Sequence, residues 1–239
     1  MALQNFKATV IKKESLTDSV ILLSFSVPDF SFKAGQFVTL KIEKDGESKL
    51  KSYSILNPPS QKSQLDLCIK IVDGGFASER FRETKVGDEY EVKGPFGHFT
   101  FRETSDSKEH WFLGAGTGVA PLHSMIKEYV GKFPDQKFKL FFGVRTKKDL
   151  FLNEDFKKIA LKNANFDYHP TLSREKWDGD SEDEDIKYGR IGHVQDNLGD
   201  NLQNKTFYIC GLKELVIEAK ELLLSKGVAA EDIVAERYS

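Results

Sequence analysis

The sequence is poor in cysteine, and this scarcity excludes two kinds of protein. Its 239 residues include 2 cysteines, Cys68 and Cys210, which lie far apart in apolar stretches. A disulfide scaffold needs several pairs, and an iron-sulfur cluster needs about four thiolate ligands. We therefore expect two buried thiols, a reducing compartment and no cluster held by this chain.

Long apolar runs and an excess of charge of either sign are also missing. No run approaches the roughly 20 residues that span a bilayer, and the first residues lack the apolar region of a signal peptide. The 35 Lys and Arg residues nearly balance 37 Asp and Glu residues, so no general positive field favours nucleic acid. The 5 histidines show no metal-ligand spacing. We expect a cytoplasmic protein without a membrane span or a metal site.

The hydrophobic pattern changes character near residue 105. Before it, short runs such as VILLSFSV at 20–27 and FVTLKI at 37–42 alternate with polar turns, which predicts an antiparallel barrel or sandwich. After the polar segment 101–110, the strand-like runs HWFLG, FKLFFGV, NFDYHPTL, TFYICG and DIVAERY alternate with helical stretches. That alternation is typical of a parallel sheet with covered faces. We predict two domains, residues 1–104 and 105–239.

Two helical stretches carry an apolar stripe, and one acidic run interrupts the second domain. Both stripes are predicted to be core rather than binding surface. The acidic run DGDSEDED at 178–185 lacks the ligand spacing of a calcium loop and is predicted to be a solvated loop. The stripes consist of Leu122, Met125, Ile126, Tyr129 and Val130 on the helix from about Pro121, and of Leu215, Val216, Ala219, Leu222 and Leu223.

Two glycine-rich turns have the composition of phosphate sites. Gly114 to Gly118 follows the strand WFL and opens a helix, and Gly74 to Ser78 lies where the strand LCIKIV ends and the helical ERFRET begins. Glycine lets the backbone approach an anion, and the N–H groups at a helix start favour negative charge. A plain structural turn explains either one alone, so both interpretations stay open at this point.

The strand Lys51 to Ser54 combines a cation, an aromatic ring and hydroxyls. Alternation places Lys51 and Tyr53 on one face and Ser52 and Ser54 on the other. A flavin requires these groups: charge for its pyrophosphate, an aromatic plane for its ring and a hydrogen-bond partner near N5. By composition alone the strand is an ordinary edge strand.

The motifs occur in the order and approximate spacing of the ferredoxin-NADP reductase superfamily, which the chain resembles along nearly its whole length. The resemblance implies an FAD-binding antiparallel β-barrel followed by an NAD(P)-binding α/β domain with a parallel sheet. Gly94 to Gly97 resembles the segment that closes the flavin domain. The matching cofactor-binding positions are Lys51, Ser52, Tyr53, Ser54, Cys68, Ile69, Lys70, Gly75, Phe76, Ala77 and Ser78 for FAD, and Gly116, Thr117, Gly118, Arg145, Cys210 and Gly211 for the nicotinamide dinucleotide.

The resemblance also implies a reaction, hydride transfer from NAD(P)H to FAD and release of electrons to a separate acceptor. By match, Ser54 bonds near flavin N5 and Cys210 lines the nicotinamide side. Glu236 and Tyr238 resemble the family's terminal acid and aromatic, where the ring covers the flavin face that nicotinamide must occupy. Ser54, Cys210, Glu236 and Tyr238 are therefore the predicted catalytic residues, and Tyr238 must move in each turnover.

The chain departs from the family pattern at several positions, and its dinucleotide preference rests on few residues. Lys51 stands in place of the usual arginine, Leu212 and Ala34 in place of prolines, and Ser239 follows Tyr238. The remaining predicted cofactor-binding residues, Ser173, Arg174 and Tyr188, with Lys187, resemble the positions that grip the 2'-phosphate of NADP. We predict NADPH, with NADH possible.

Several acceptors agree with the sequence. The leading hypothesis is a reductase serving a ferredoxin, a flavodoxin or an oxygenase component; the alternatives are a ferric-siderophore or free-flavin reductase and a non-catalytic FAD-binding subunit for assembly or sensing. Lysines 41, 44, 49 and 51, with 147 and 148, form either a docking patch for an acidic carrier or an ordinary solvated surface. The oligomeric state is open.

Overall fold

The computed structural model describes residues 3–104, 107–177 and 189–238. It divides into two compact units, one of Met1–Phe101 with His123–Glu128 and one of Arg102–Leu122 with Tyr129–Ser239. The acidic run 178–185, Lys187, Tyr188 and Ser239 lie outside the described residues. Within the described ranges, no helix is both long enough and apolar enough to cross a bilayer.

The first unit is built on a six-stranded antiparallel sheet. Its spatial order is β4-β3-β6-β1-β2-β5. An isolated antiparallel bridge joins Ile55, just after β4, to Leu67 in β5, so the two edge strands meet and the sheet curls into a barrel. The predicted antiparallel barrel is confirmed. The strands are β1 (Gln4–Thr17), β2 (Val20–Ser26), β3 (Phe37–Lys44), β4 (Glu47–Ser54), β5 (Gln64–Lys70) and β6 (Glu89–Phe96), and the helix α1 is Phe76–Glu83.

Alternating side chains fill the barrel. In β3, Val38, Leu40 and Ile42 are completely buried, while the residues between them face outward. Phe81 of α1 is also fully buried and joins the same apolar cluster. Burying apolar area at about 25 cal/mol per Å² makes this inward face the main source of stability. The period of two that is visible in the sequence therefore produces the barrel.

The second unit is a parallel sheet with helices. Its order is β10-β9-β8-β7-β11-β12, and every pairing is parallel. Five of these strands match the predicted runs; β10 has two residues and no hydrophobic period that could be detected. The elements are β7 (Glu109–Ala115), α2 (Val119–Tyr129), β8 (Lys137–Val144), α3 (Asn153–Lys162), β9 (Phe166–Leu172), β10 (Arg190–Ile191), β11 (Thr206–Gly211), α4 (Lys213–Ser225) and β12 (Ile233–Arg237).

The two predicted apolar stripes are buried except at Leu222, which is partly buried. Leu122, Met125 and Ile126 of α2 are fully buried, as are Ala219 and Leu223 of α4. The start of α2 differs slightly from the prediction, because the helix begins at Val119 and Pro121 is its third residue rather than its first. Proline is tolerated there because N–H groups in the first turn have no acceptor within the helix.

Candidate functional site

The glycine turn after β7 lies where the order of the parallel strands reverses. From β7 the chain moves to β8 and β9 on one side, and it later returns to β11 and β12 on the other side of β7. In open parallel sheets, ligands bind at the carboxyl ends of the two strands that flank such a reversal. The turn is a 3-10 helix, Gly116–Gly118, that runs directly into α2.

Two glycines of this turn are required for different reasons. A Cβ on Gly118 would lie 2.4 Å from the carbonyl oxygen of Cys210 and 2.7 Å from the Cα of Gly211, so only glycine permits the turn to pack against the end of β11. Gly116 has φ +53°, and a Cβ there would have no atom of the described chain within 4 Å. The backbone of Gly118 is thus enclosed by protein, while Gly116 borders open space that a ligand could enter.

Three of the predicted catalytic residues meet beside this turn. Cys210 is paired in register with Gly114 of β7 on one side and Glu236 of β12 on the other. The backbone N–H of Tyr238 donates to the Gly211 oxygen at 2.9 Å, and its hydroxyl donates to the Thr117 oxygen at 3.4 Å. Burial, and secondly the negative charge of Glu236, raises the pKa of the Cys210 thiol, although a hydrogen bond with Tyr238 opposes this.

Two of the predicted 2'-phosphate residues, Ser173 and Arg174, follow β9 and bond to the end of β8. The N–H of Ser173 donates to the Val144 oxygen at 3.0 Å, and that of Arg174 donates to the Arg145 oxygen at 2.9 Å. Arg145 and Arg174 are both exposed. The adjacent ends of β8 and β9 therefore present two charged guanidinium groups. A carboxylate that the sequence analysis overlooked is close by, since Glu175 Oε2 accepts from the backbone N–H of Lys147 at 2.7 Å.

In the first unit, the predicted flavin strand changes from exposed to buried along its length. Lys51 and Ser52 are exposed, Tyr53 is half-buried and Ser54 is buried. The Tyr53 ring packs edge-on against Phe81 of α1, with centroids 5.6 Å apart at 76°, and burial raises the pKa of its phenol. A neutral, half-buried aromatic ring that is fixed by such a contact is suited to stacking.

The glycine turn before α1 is similar to the turn in the second unit, because one of its glycines borders open space and the other lies close to protein atoms. Gly74 has φ +69°, and no described atom lies within 4 Å of a Cβ built on it. A Cβ on Gly75 would lie 3.1 Å from both the Ser78 hydroxyl and the Val72 oxygen. Ser78 Oγ accepts from the Val72 N–H at 2.9 Å, so this hydroxyl shapes the turn. Phe76 and Ala77 pack partly against the barrel core.

The predicted residues of β5 contribute a strand edge rather than side chains. Cys68 and Ile69 are buried, and Ile69 belongs to the barrel core. Burial raises the pKa of the Cys68 thiol, which stays neutral. The Lys70 ammonium donates to the Ser19 hydroxyl. Because β5 is the last strand of its sheet, its outer backbone groups are the part that could face a ligand.

Three of the six lysines of the suggested docking patch form ion pairs with nearby carboxylates. Lys41 lies 2.6 Å from Glu43, Lys44 lies 2.8 Å from Glu79, and Lys49 lies 3.0 Å from Glu47. Exposed pairs of this kind contribute little to stability, but they cancel much of the field that would attract an acidic carrier. These contacts favour the solvated-surface interpretation for the three lysines.

Asn57 is a structural residue in the loop that follows β4. It is buried, its amide donates to the oxygens of Gln61 and Gln64, and its Oδ1 accepts from the Asp66 N–H at 2.8 Å. The loop after β4 is therefore fixed to the start of β5. An Asn before two prolines is a typical turn signal that indicates such side-chain to backbone bonds.

The donor groups present fit two dinucleotides. Each unit has a helix start preceded by a positive-φ glycine with open space at its Cβ position, Gly74 in one and Gly116 in the other. Such a cradle admits a pyrophosphate to within hydrogen-bond distance of backbone N–H groups. The first unit adds the Lys51 ammonium and the Tyr53 ring, which suit a flavin dinucleotide.

An antiparallel barrel and a parallel α/β unit, each with an open glycine turn before a helix, form the architecture of a two-domain flavin- and nicotinamide-dependent oxidoreductase. Residues 7–101 match the family model of the oxidoreductase FAD-binding domain, and residues 112–221 match that of the oxidoreductase NAD-binding domain. The chain belongs to the ferredoxin-NADP reductase family. It is a flavin oxidoreductase of the ferredoxin reductase type, and its cofactors are FAD and NAD(P).

Two relatives and one solved structure illustrate the family relationship. Ferredoxin-NADP reductase B of Sorangium cellulosum is 29% identical over 248 residues, 98% of this chain and 97% of the relative. The reductase component DmpP of phenol 2-monooxygenase from Pseudomonas sp. is 29% identical over 212 residues, 87% of this chain but 58% of the relative. The crystal structure of the Amycolatopsis cytochrome P450 reductase GcoB has a TM-score of 0.86 at 25% identity and covers 98% of this chain and 70% of that one.

Proposed function

We propose that this chain takes hydride from NAD(P)H onto FAD and delivers the electrons to a separate protein, an oxygenase component, a ferredoxin or a flavodoxin. The observation that carries the proposal is the pair of open glycine cradles, at Gly74 and Gly116, in units that match FAD- and NAD-binding domains. One relative named as the reductase component of phenol 2-monooxygenase, and another named as the P5 protein of phenol hydroxylase, support this class of acceptor. The chain spans 58% of DmpP, so the activity of that whole protein comes to this chain only as a proposal.

Chain residues hold and order the reactants in this proposal. When bound, FAD would supply an N5 atom that can take up hydride and a ring system that can give up electrons singly. Tyr53 would stack on that ring system, Ser54 would hydrogen-bond near N5, and Glu236 would lie next to the nicotinamide. Cys210 lines the nicotinamide side as a neutral thiol and does not act as a nucleophile, because its raised pKa keeps the thiolate scarce. Tyr238 covers the flavin face and leaves it when nicotinamide arrives.

The preferred dinucleotide in this proposal is NADPH. The support is the pair of exposed guanidinium groups, Arg145 and Arg174, on strand ends joined by a backbone hydrogen bond. A planar guanidinium binds a phosphate dianion through two parallel hydrogen bonds. Glu175 has the opposite charge, but one of its oxygens already accepts from Lys147. NADH remains the second substrate of the proposal, since it needs the same turn and lacks only the 2'-phosphate.

The test begins with the visible spectrum of the purified full chain and the identity of its released flavin. Anaerobic addition of NADPH or NADH should bleach the flavin bands, with NADPH effective at the lower concentration. A chain that binds FAD but is bleached by neither dinucleotide would be a non-catalytic assembly or sensor subunit, and the proposed reaction would be wrong.

A second measurement concerns the acceptor. Steady-state rates are compared with ferredoxin, flavodoxin, an oxygenase component, cytochrome c, ferric siderophores and free flavin. Efficient reduction of ferric siderophores or free flavin, with no protein acceptor faster, would replace the proposed acceptor class. A protein acceptor whose rate falls with added salt would support docking through charge, because screening weakens association between exposed charges.

A further inference from the structure

The β3–β4 hairpin is attached to the start of α1 by a long-range ion pair. Lys44 at the end of β3 lies 2.8 Å from Glu79 in the first turn of the helix, and its side chain is 23% exposed. Without this partner, a carboxylate in the first turn would repel an anion that approaches the helix start. The pair therefore reduces that repulsion and keeps the hairpin against the helix.

Lys49 of the same hairpin contacts the first residue of α1. Its ammonium lies 4.2 Å from the ring centroid of Phe76, the distance of a cation–π contact. The same ammonium lies 3.0 Å from Glu47 Oε2. An ammonium has three N–H donors, so the contact with Glu47 leaves donors for another oxygen. The positive charge is thus held beside the helix start.

Strand alternation places this charge on the face already assigned to the flavin. Lys49, Lys51 and Tyr53 are two residues apart along β4, and their β3 partners are Ile42, Leu40 and Val38. All three therefore share one face of the hairpin. Lys49 contacts Phe76 at the start of α1, and Lys51 lies between Lys49 and Tyr53 along the strand.

We propose that Lys49 is a second pyrophosphate-binding cation for FAD and acts together with Lys51. This inference rests on the proposed function and assigns the chemistry of one part of its flavin site. The family usually has arginine at the position of Lys51, and a single ammonium cannot make the paired hydrogen bonds of a guanidinium. Two ammonium groups on the same strand face supply paired donors and add a second positive charge. The ligand group is the diphosphate of the dinucleotide, so the flavin ring is not contacted by Lys49.

The simplest competing explanation is that Lys49 is a surface lysine paired with Glu47. Its fixed position over Phe76 distinguishes it from Lys41, which also has carboxylate neighbours, Glu43 and Glu91, but lies on the opposite face of β3. Substitution of Lys41 therefore provides a control, because it removes another ion-paired lysine from the same hairpin without touching the α1 side.

The experiment measures the affinities of FAD and riboflavin for the flavin-stripped full chain, through quenching of flavin fluorescence. The variants are Lys49→Met, Lys51→Met and the control Lys41→Met. We expect Lys49→Met to weaken FAD binding about three- to fivefold at low salt, since an exposed charge contact contributes up to about 1 kcal/mol. Riboflavin, which has no phosphate, should bind all variants equally, and Lys49→Arg should restore FAD affinity.

Each outcome separates this inference from the proposed function. A change in FAD affinity of less than about twofold in Lys49→Met, or an equal loss for riboflavin, would overturn the role of Lys49 while leaving a flavin site in place. An effect of Lys41→Met as large as that of Lys49→Met would also overturn it. A wild-type chain that binds neither flavin would instead contradict the proposed function.

Discussion

The substitution Gly118→Ala should damage the fold of the second unit, whereas Gly116→Ala should mainly damage ligand binding. At Gly118 the new Cβ would lie 2.4 Å from the Cys210 oxygen, about 1 Å inside ordinary contact distance. The neighbouring atoms are backbone, so the turn or the end of β11 must shift. Overpacking of this kind costs about 1–3 kcal/mol or more.

At Gly116 the cost has another origin. The left-handed φ of +53° costs alanine about 1 kcal/mol, but the Cβ meets only open space among the described residues. That space is where the proposal puts the dinucleotide pyrophosphate. We therefore expect Gly116→Ala to weaken binding of NADP⁺ about tenfold or more while losing only about 2–4 °C in melting temperature.

Tryptophan fluorescence is suited to this comparison. The chain has 2 tryptophans, Trp111 and Trp177, and both belong to the second unit, so their signal reports the unfolding of that unit. Gly118→Ala should lower its melting temperature about 5–10 °C. FAD affinity of both variants should match that of the wild type. A Gly118→Ala protein that melts as the wild type does would refute the close approach to Cys210, and wild-type NADP⁺ binding by Gly116→Ala would refute the cradle.

Three other predictions concern titration, specificity and the terminal aromatic. Burial lowers the pKa of His110 to about 4, so the unfolded chain binds its proton more tightly and the free energy of unfolding falls as pH drops below about 6.5. The substitution His110→Phe should reduce the fall in this free energy between about pH 7.5 and 4.5, measured by urea unfolding, by about 2.5 kcal/mol. An equal fall in both proteins would refute the assignment. Arg174→Ala should reduce the preference for 2',5'-ADP over 5'-AMP about tenfold; an unchanged ratio would mean that Arg174 does not bind the 2'-phosphate. Deleting Tyr238 and Ser239 should strengthen NADP⁺ binding about tenfold if the ring covers its site in about nine molecules of ten, and unchanged binding would remove the gate from the mechanism.

Local patterns were sufficient to predict the architecture. The period of two along β3 and the buried stripes of α2 and α4 depend on neighbours in sequence, and each is confirmed by burial. The two-residue strand β10 is too short for any period to appear. The start of α2 was misplaced by two residues because proline is permitted throughout the first turn of a helix.

Contacts between distant residues could not be predicted from local patterns. Gly118 is recognisable as part of a turn, but its approach to Cys210 joins positions 92 residues apart and follows only from the strand order. The ion pair of Lys44 with Glu79 is similar, since a lysine cluster in sequence gives no information about which carboxylates will face it. The roles of the named site residues toward FAD and NADP(H) remain predictions.

The exposure of β4 has a consequence for the newly made chain. This strand ends the spatial order of its sheet, and its first six residues are exposed. An uncovered edge strand can pair with the same strand of another molecule and begin aggregation. Charged residues along such an edge oppose this pairing, because two copies would bring like charges together. Lys49 and Lys51, two like charges on one face of this strand, would therefore oppose such pairing before a cofactor is bound.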